Sequence, residues 1–476
     1  MKPVARSLPS SRWLRAVPFA VAVLIAACAS NAPETRRPAA ALPAQFAGVN
    51  ADANAAISPR WWTLFGDAEL DRLVDAALAS NSDIAQAVAR VELADAQQRE
   101  VGAALLPGVD LGGTAGRSRS SGLTNAARSI GSTLGNNFRL AASTSFELDF
   151  WGKLRNTDRA ARASALASRD ARDTVRLTVA GLTVQSWIAV RAIDEQLRLT
   201  RETLRTRDES LRMIGLRQQG GSSSALEVEQ ARIQRADVVL QQVELERQRR
   251  LAESQLGLLT GNAGLQLPAL TAGLPEAPAV PAGLPSSLLE RRPDSQRAEL
   301  TLASADAQVS VARAAMYPTL SLTGLLGGES AELSTLLNAP ARIWSLGFGL
   351  TLPLFDGGRT AARTDQAKAR QQEAVAAYQG AVSTAFKEAA DAIGNAQSAS
   401  LALPDLAVRV EAGTRALKLA QMRFDAGYSG YLEVLDAQRT LNAAQLDQVR
   451  NRQSQLNYAV DLFKALGGGW AAEAAR

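Results

Sequence analysis

Histidine is absent from the 476 residues, and cysteine occurs once, at Cys28. Zinc sites, Ser–His and Cys–His nucleophile pairs and iron–sulfur clusters are therefore essentially excluded, and no internal disulfide can form. Aromatic residues make up only 5% of the chain, and 52 basic residues nearly balance 47 acidic ones. No basic stripe interleaved with aromatics appears, so a nucleic-acid partner has no support. No Gly-x-x-x-x-Gly-Lys-[Ser/Thr] phosphate loop is present. No cofactor, metal ligand set or catalytic residue can be assigned. An acid-pair hydrolase is left with only scattered carboxylates.

Long apolar runs are also missing, with one exception at the N-terminus. Lys2, Arg6, Arg12 and Arg15 precede Ala16–Ala27, a 12-residue apolar stretch, and Cys28 follows at once. A basic region, a short apolar core and small residues at a cut form a secretory leader over 1–27, too short to span a bilayer. Ile25-Ala26-Ala27-Cys28 resembles a bacterial lipoprotein cleavage box, which implies a lipid such as palmitate on Cys28. An ordinary leader with an incidental cysteine is the alternative. Ala29 in the next position implies, by the same resemblance, sorting to the outer membrane. Residues 28–60 read as a Pro/Ala-rich tether.

What the chain does have is a duplication. At an offset of 206, Arg217 recurs as Arg423, Gly221 as Gly427, Leu226-Glu227-Val228 as Leu432-Glu433-Val434 and Gly261 as Gly467. At an offset of 211, Ala94–Gln97 recurs as Ala305–Gln308, and Asp83 as Asp294. At 205, Phe150 and Gly152 recur as Phe355 and Gly357. The pattern predicts two repeats, 61–260 and 291–466, joined by a Pro/Gly-rich linker over 261–290 and followed by a tail over 467–476.

Each repeat reads helix, strand, loop, strand, long helix, turn, helix. The expected helices are 67–104, 157–216 and 225–260, then 294–315, 360–422 and 431–466. Sixty helical residues would reach roughly 90 Å. The expected strands lie near 108–117, 138–150, 319–327 and 343–355. In the last, Leu346, Phe348, Leu350, Leu352 and Leu354 alternate with small or polar residues. A soluble sheet packed on a core is the common cause of such alternation. Here the neighbouring helices are too long for a compact domain, which favours a membrane strand of about ten residues. A barrel in lipid tolerates no open edge. Four strands cannot close, so chains must share a barrel: two give eight strands, three give twelve.

These residues resemble the TolC-like outer-membrane efflux channels, in particular the lipid-anchored subgroup that works with inner-membrane drug pumps. The resemblance is carried by residues 61–87, Phe146–Asn156, Arg291–Asp294, Tyr317–Gly324, Leu352–Arg359 and Arg423–Leu441. It implies an α+β membrane protein, a homotrimer with a 12-strand β-barrel continued by a long periplasmic α-helical barrel. It also implies a periplasmic membrane-fusion adaptor, an inner-membrane RND-type transporter and outer-membrane lipid as partners. A type I protein-secretion channel stays open as an alternative, as does a periplasmic coiled-coil lipoprotein without a pore.

Glu433 and Asp436 lie three residues apart at the start of a helix and match the family's acidic aperture pair, with Glu in the first place. Three chains would set six carboxylates around one axis. Their repeat-one counterparts are Glu227 and Gln230. Ser224 with Glu227 also reads as a capping box, a purely local role. Gly220, Gly221, Gly427 and Gly430 would permit tight tip turns. Trp151, Gly152, Gly357 and Gly358 mark strand-to-helix corners, with the aromatics at the membrane interface. Glu147 and Asp149 would line the barrel–helix junction.

Overall fold

The computed structural model describes residues 58–119, 121, 134–269, 273–279 and 291–469. Cys28 and the leader lie outside them. Twelve elements follow in order: α1 (Ala68–Ser80), α2 (Ser82–Ala103), β1 (Asp110–Arg119), β2 (Leu134–Leu148), α3 (Lys153–Gln219) and α4 (Ala225–Thr260). The second half adds α5 (Pro293–Ala314), β3 (Thr319–Ser330), β4 (Arg342–Thr351), α6 (Arg359–Leu401), α7 (Leu403–Asp425) and α8 (Tyr431–Ala465). No helix among the described residues is long and apolar enough to cross a membrane.

Three expected elements differ. The helix expected over 67–104 is two helices, because Asn81 takes an extended conformation between them. Its Oδ1 accepts the Asp83 and Ile84 amides, and its Nδ2 donates to the Leu259 carbonyl at 3.1 Å. Asparagine at a cap is more stable than in a helix interior. The helix expected over 360–422 divides at Ala402, just before Pro404, whose ring has no N–H to give. The last strand stops at Thr351, not Phe355, because Pro353 cannot donate to a ladder.

The chain forms two compact units. The first, 92–167 with 298–378, carries one antiparallel sheet of order β1-β2-β3-β4. Directly paired residues share a face. One face carries the rows Leu148–Leu320–Leu350, Phe146–Leu322–Phe348 and Leu111–Ala142–Leu326–Trp344. The opposite face carries Glu147–Ser321–Gly349 and Ser145–Thr323–Gly347. The apolar face is bare: Trp344 is 77% exposed, and Leu326, Leu346, Phe348 and Leu350 are exposed too. On the polar face a Cβ at Gly347 or Gly349 would come within 2.8 Å of the Thr323 or Ser321 hydroxyl. Small residues let the strands approach there.

The second unit, described over 58–91, 168–269, 273–279, 291–297 and 379–469, holds the main core. Trp61 stacks on Phe463 at 5.0 Å, above fully buried Leu70, Val184 and Trp187. The duplication is physical here. Gly261 ends α4 with φ 69°, and its added Cβ would meet the Ser80 carbonyl at 3.4 Å. Gly467 follows α8 with φ 86°, and its Cβ would meet the Arg291 carbonyl at 2.6 Å. Each glycine packs on the backbone just before α2 or α5, the equivalent helices. The described start of the linker is clamped by buried charges. Arg191 donates to Pro268 O and Glu69, while Arg249 donates to Leu267 O and Asp194, all at 2.6–2.8 Å.

Candidate functional site: the paired hairpin turns

The two glycine turns close by one scheme. After α3, Gly221 adopts φ 74° and the Ser222 N–H donates back to the Arg217 carbonyl at 2.8 Å. After α7, Gly427 adopts φ 78° and the Tyr428 N–H donates to the Arg423 carbonyl at 2.9 Å. This is the left-handed glycine stop of a helix, with the orphan carbonyls satisfied by the turn. Gly220 and Gly430 are not in the left-handed region. Gly430 is instead the N-cap of α8 at φ −74°, where no side chain caps the helix.

The two helix starts use their acids differently. Ser224 and Glu227 complete a reciprocal capping box. The Ser223 hydroxyl, then the Ser224 and Tyr431 backbone N–H groups, hold the Glu227 carboxyl below its usual range. Glu433 lies 3.4 Å from Arg423, and Asp436 lies 3.0 Å from Arg439. All four side chains are more than half exposed. Gln230 and Asp436 share a cleft of about 240 Å³ between α4 and α8, with Ile233, Leu432, Leu435 and Arg439.

Sequence reasoning treats the aperture acids as bare and misses their arginines. Arg439 sits one helical turn from Asp436, a spacing that is legible; Arg423 reaches Glu433 only because the turn folds back. It also misses the bridge between hairpins. Arg217 lies 4.5 Å from the Phe424 ring centroid and 3.1 Å from Asp425. Phe424 in turn packs 5.5 Å from Tyr431, which is only 2% exposed. Beside them a groove of about 780 Å³ runs between α3 and α7–α8.

At the strand-to-helix corners, Gly152, Gly357 and Gly358 all have positive φ, from 66° to 84°. Trp151 stacks on Tyr317 at 4.8 Å and donates its Nε1 to Pro318 O at 2.7 Å. Glu147 pairs with Lys153 at 3.0 Å. Asp149 accepts the Leu154 and Arg155 amides at the start of α3.

The family described as "Outer membrane efflux protein" matches residues 73–262 and again 284–468. The chain belongs to that family. The double match falls on the two halves already distinguished by offset, so the duplication is a family property. The chain is 38% identical over 466 residues to outer membrane protein OprJ of Pseudomonas aeruginosa, covering 94% of this chain and 95% of the relative. It is 37% identical over 471 residues to the pyoverdine export outer membrane protein OpmQ of Pseudomonas putida, covering 97% and 98%. A solved structure of CusC has a TM-score of 0.84 at 31% identity, covering 91% of this chain and 99% of that one. A membrane protein from Pseudomonas aeruginosa gives 0.85 at 33%, covering 93% and 99%. The protein is an outer-membrane channel of an efflux system with a periplasmic helical extension, and its family is not enzymatic.

Proposed function

We propose that three copies of the chain close one 12-strand barrel in the outer membrane, continued by a periplasmic helical barrel. The assembly is the passive exit duct of a tripartite efflux system. The observation that carries this reading is the open four-strand sheet: among the described residues nothing pairs with the outer edges of β1 and β4 or covers the apolar face. From Phe138 to Leu148 that face, at ~3.3 Å per residue and a tilt of ~40°, gives about 25 Å of height, the apolar band of an outer-membrane barrel. A second support lies in the helices. Leu226, Ile233 and Leu240 form an exposed heptad seam on α4, and Leu401, Val408 and Met422 keep the same register across α6 and α7. Such seams need a partner helix, and neighbouring copies supply one.

In this assembly Glu433 and Asp436 ring the periplasmic aperture, each accompanied by its arginine. The grooves beside the hairpin turns receive a periplasmic membrane-fusion adaptor, and an inner-membrane RND-type transporter supplies the energy. Cys28 carries the lipid; among the relatives, SilC of Salmonella typhimurium is described as a probable outer membrane lipoprotein, at 32% identity. The relatives are described by different cargoes, pyoverdine and cations among them, so the duct assigned here is for small solutes as a class. The test is twofold. Protein extracted from outer membranes should run as a heat-modifiable trimer, and the trimer should give discrete conductance steps in planar bilayers. A folded trimer that never conducts would favour a structural lipoprotein.

A further inference from the structure

The lipid-facing side of the sheet ends differently at its two ends. At the helix end, the apolar rows finish at Leu148, Leu320 and Leu350. Just beyond β2, Lys153 is paired with Glu147 and Arg155 with Asp149, both at 3.0 Å. At the loop end, Trp344 closes the exposed apolar row, and the next residue on the same face of β4 is Arg342, paired with Gly328. On β1 the same face carries Arg117, paired with Asn136, and ends one step further at Arg119, paired with Leu134. Arg117 and Arg342 are exposed, and neither has an acid partner among the described residues. The nearest acid on the strands, Glu329, lies on the opposite face and accepts from Asn137 at 2.6 Å.

We infer that Arg117 and Arg342 form a binding site for the phosphorylated headgroup of an outer-leaflet glycolipid. The inference rests on the trimeric barrel proposed above, because only its closure sets β4 of one chain beside β1 of the next. The two strands are the sheet's edges, so each seam receives Arg342 from one side and Arg117, with Arg119 next to it on the same face, from the other. A guanidinium engages phosphate through two parallel hydrogen bonds, and burial beside acyl chains strengthens the attraction. An arginine at the membrane boundary costs little, whereas at the midplane it would be expensive. Exposed Trp344 supplies the amphipathic ring expected at headgroup level.

The test is native mass spectrometry of the full-length protein released from mild detergent. It compares wild type with Arg117→Gln/Arg342→Gln, each given bis-phosphorylated lipid A or its dephosphorylated form. Wild type should hold the phosphorylated lipid at one per seam. Its adducts should be weaker by roughly fivefold or more for the dephosphorylated lipid and for the Gln pair, as expected on losing charge-assisted bonds. An Arg117→Lys/Arg342→Lys pair, which keeps charge without the fork, should fall between. Equal adducts in wild type and the Gln pair would overturn the site. Full displacement by inorganic phosphate at matched concentration would overturn the lipid as its occupant. The mass of the assembly reports on the barrel separately. A trimer without adducts rejects the lipid site alone, and a monomer rejects the trimer.

Discussion

The Arg423 guanidinium lies 3.4 Å from the Glu433 carboxylate, across the turn that joins α7 to α8. With Arg439 beside Asp436, each acid near the turn has its own counter-charge. A ring of six carboxylates would strongly favour cations; a ring of six paired sites is close to neutral.

Conductance should therefore respond to the arginines as well as the acids. In planar bilayers, Arg423→Gln/Arg439→Gln should raise cation selectivity, while Glu433→Ala/Asp436→Ala should shift it toward anions. Reversal potentials in a salt gradient read both. Identical potentials in all three proteins would remove these residues from the aperture. Stability should hardly change, because exposed pairs contribute about 0–1 kcal/mol.

Residues 322 and 323 are neighbours with opposite fates. Leu322→Arg places a charge on the apolar face and should cost ~2–4 kcal/mol at mid-depth, lowering the yield of heat-modifiable trimer in outer membranes. Thr323→Arg points to the polar face, where its hydroxyl now bonds Gly347 O at 3.4 Å, and should assemble near wild-type levels. Equal assembly of both would contradict the assignment of faces.

Asp170 is raised to about 6, chiefly by burial and then by the neighbouring Asp173 charge, against the pull of Arg172. One of its carboxyl oxygens is buried without a hydrogen-bond partner. A carboxyl held above its unfolded value binds its proton more readily when folded. Its ionisation thus costs stability at neutral pH, and the cost fades as pH falls through about 6. Asp170→Asn should stabilise the protein at pH 7.5 by about 1–2 kcal/mol, after discounting for partial exposure. It should have little effect near pH 4. Thermal melts at the two pH values check this.

Glu227 has the opposite sign. Its carboxyl is held down by the Ser223 hydroxyl and by backbone N–H groups. Its contribution is present above the unfolded value near 4.5 and is lost as pH falls through the lower folded value. Glu227→Ala should loosen the start of α4 by ~1 kcal/mol, read as faster amide exchange over residues 224–230 at pH 7. The difference from wild type should close in acid.

Gly467→Ala should be costly for so small a change. Its φ of 86° is unfavourable for any side chain, and the added methyl would sit 2.6 Å from the Arg291 carbonyl. A loss of about 1–3 kcal/mol is expected from strain of this kind. Gly221→Ala has the same backbone problem but open space around it, so it should lose less. Comparing the two melts separates conformational strain from collision.

The sequence by itself determined the features that repeat at short range. Three blocks recurring in the same order, at offsets of 205, 206 and 211, revealed two copies. Glycine after a helix predicted the stops at Gly221 and Gly427, because only glycine enters the left-handed region without strain. Period-two alternation assigned the apolar strand face, because side chains alternate along any strand. The breaks at Asn81 and near Pro404 lie inside stretches whose helical periodicity runs on at both sides, so the pattern alone gave one helix where the structure has two. Tertiary structure alone decided which charges meet. Arg217 and Arg423 are equivalent in sequence, yet one reaches Asp425 on the other hairpin and the other pairs with Glu433 in its own. No local pattern encodes that difference. It arises because the hairpins lie side by side, and the partner of a long side chain depends on what folding brings within its reach.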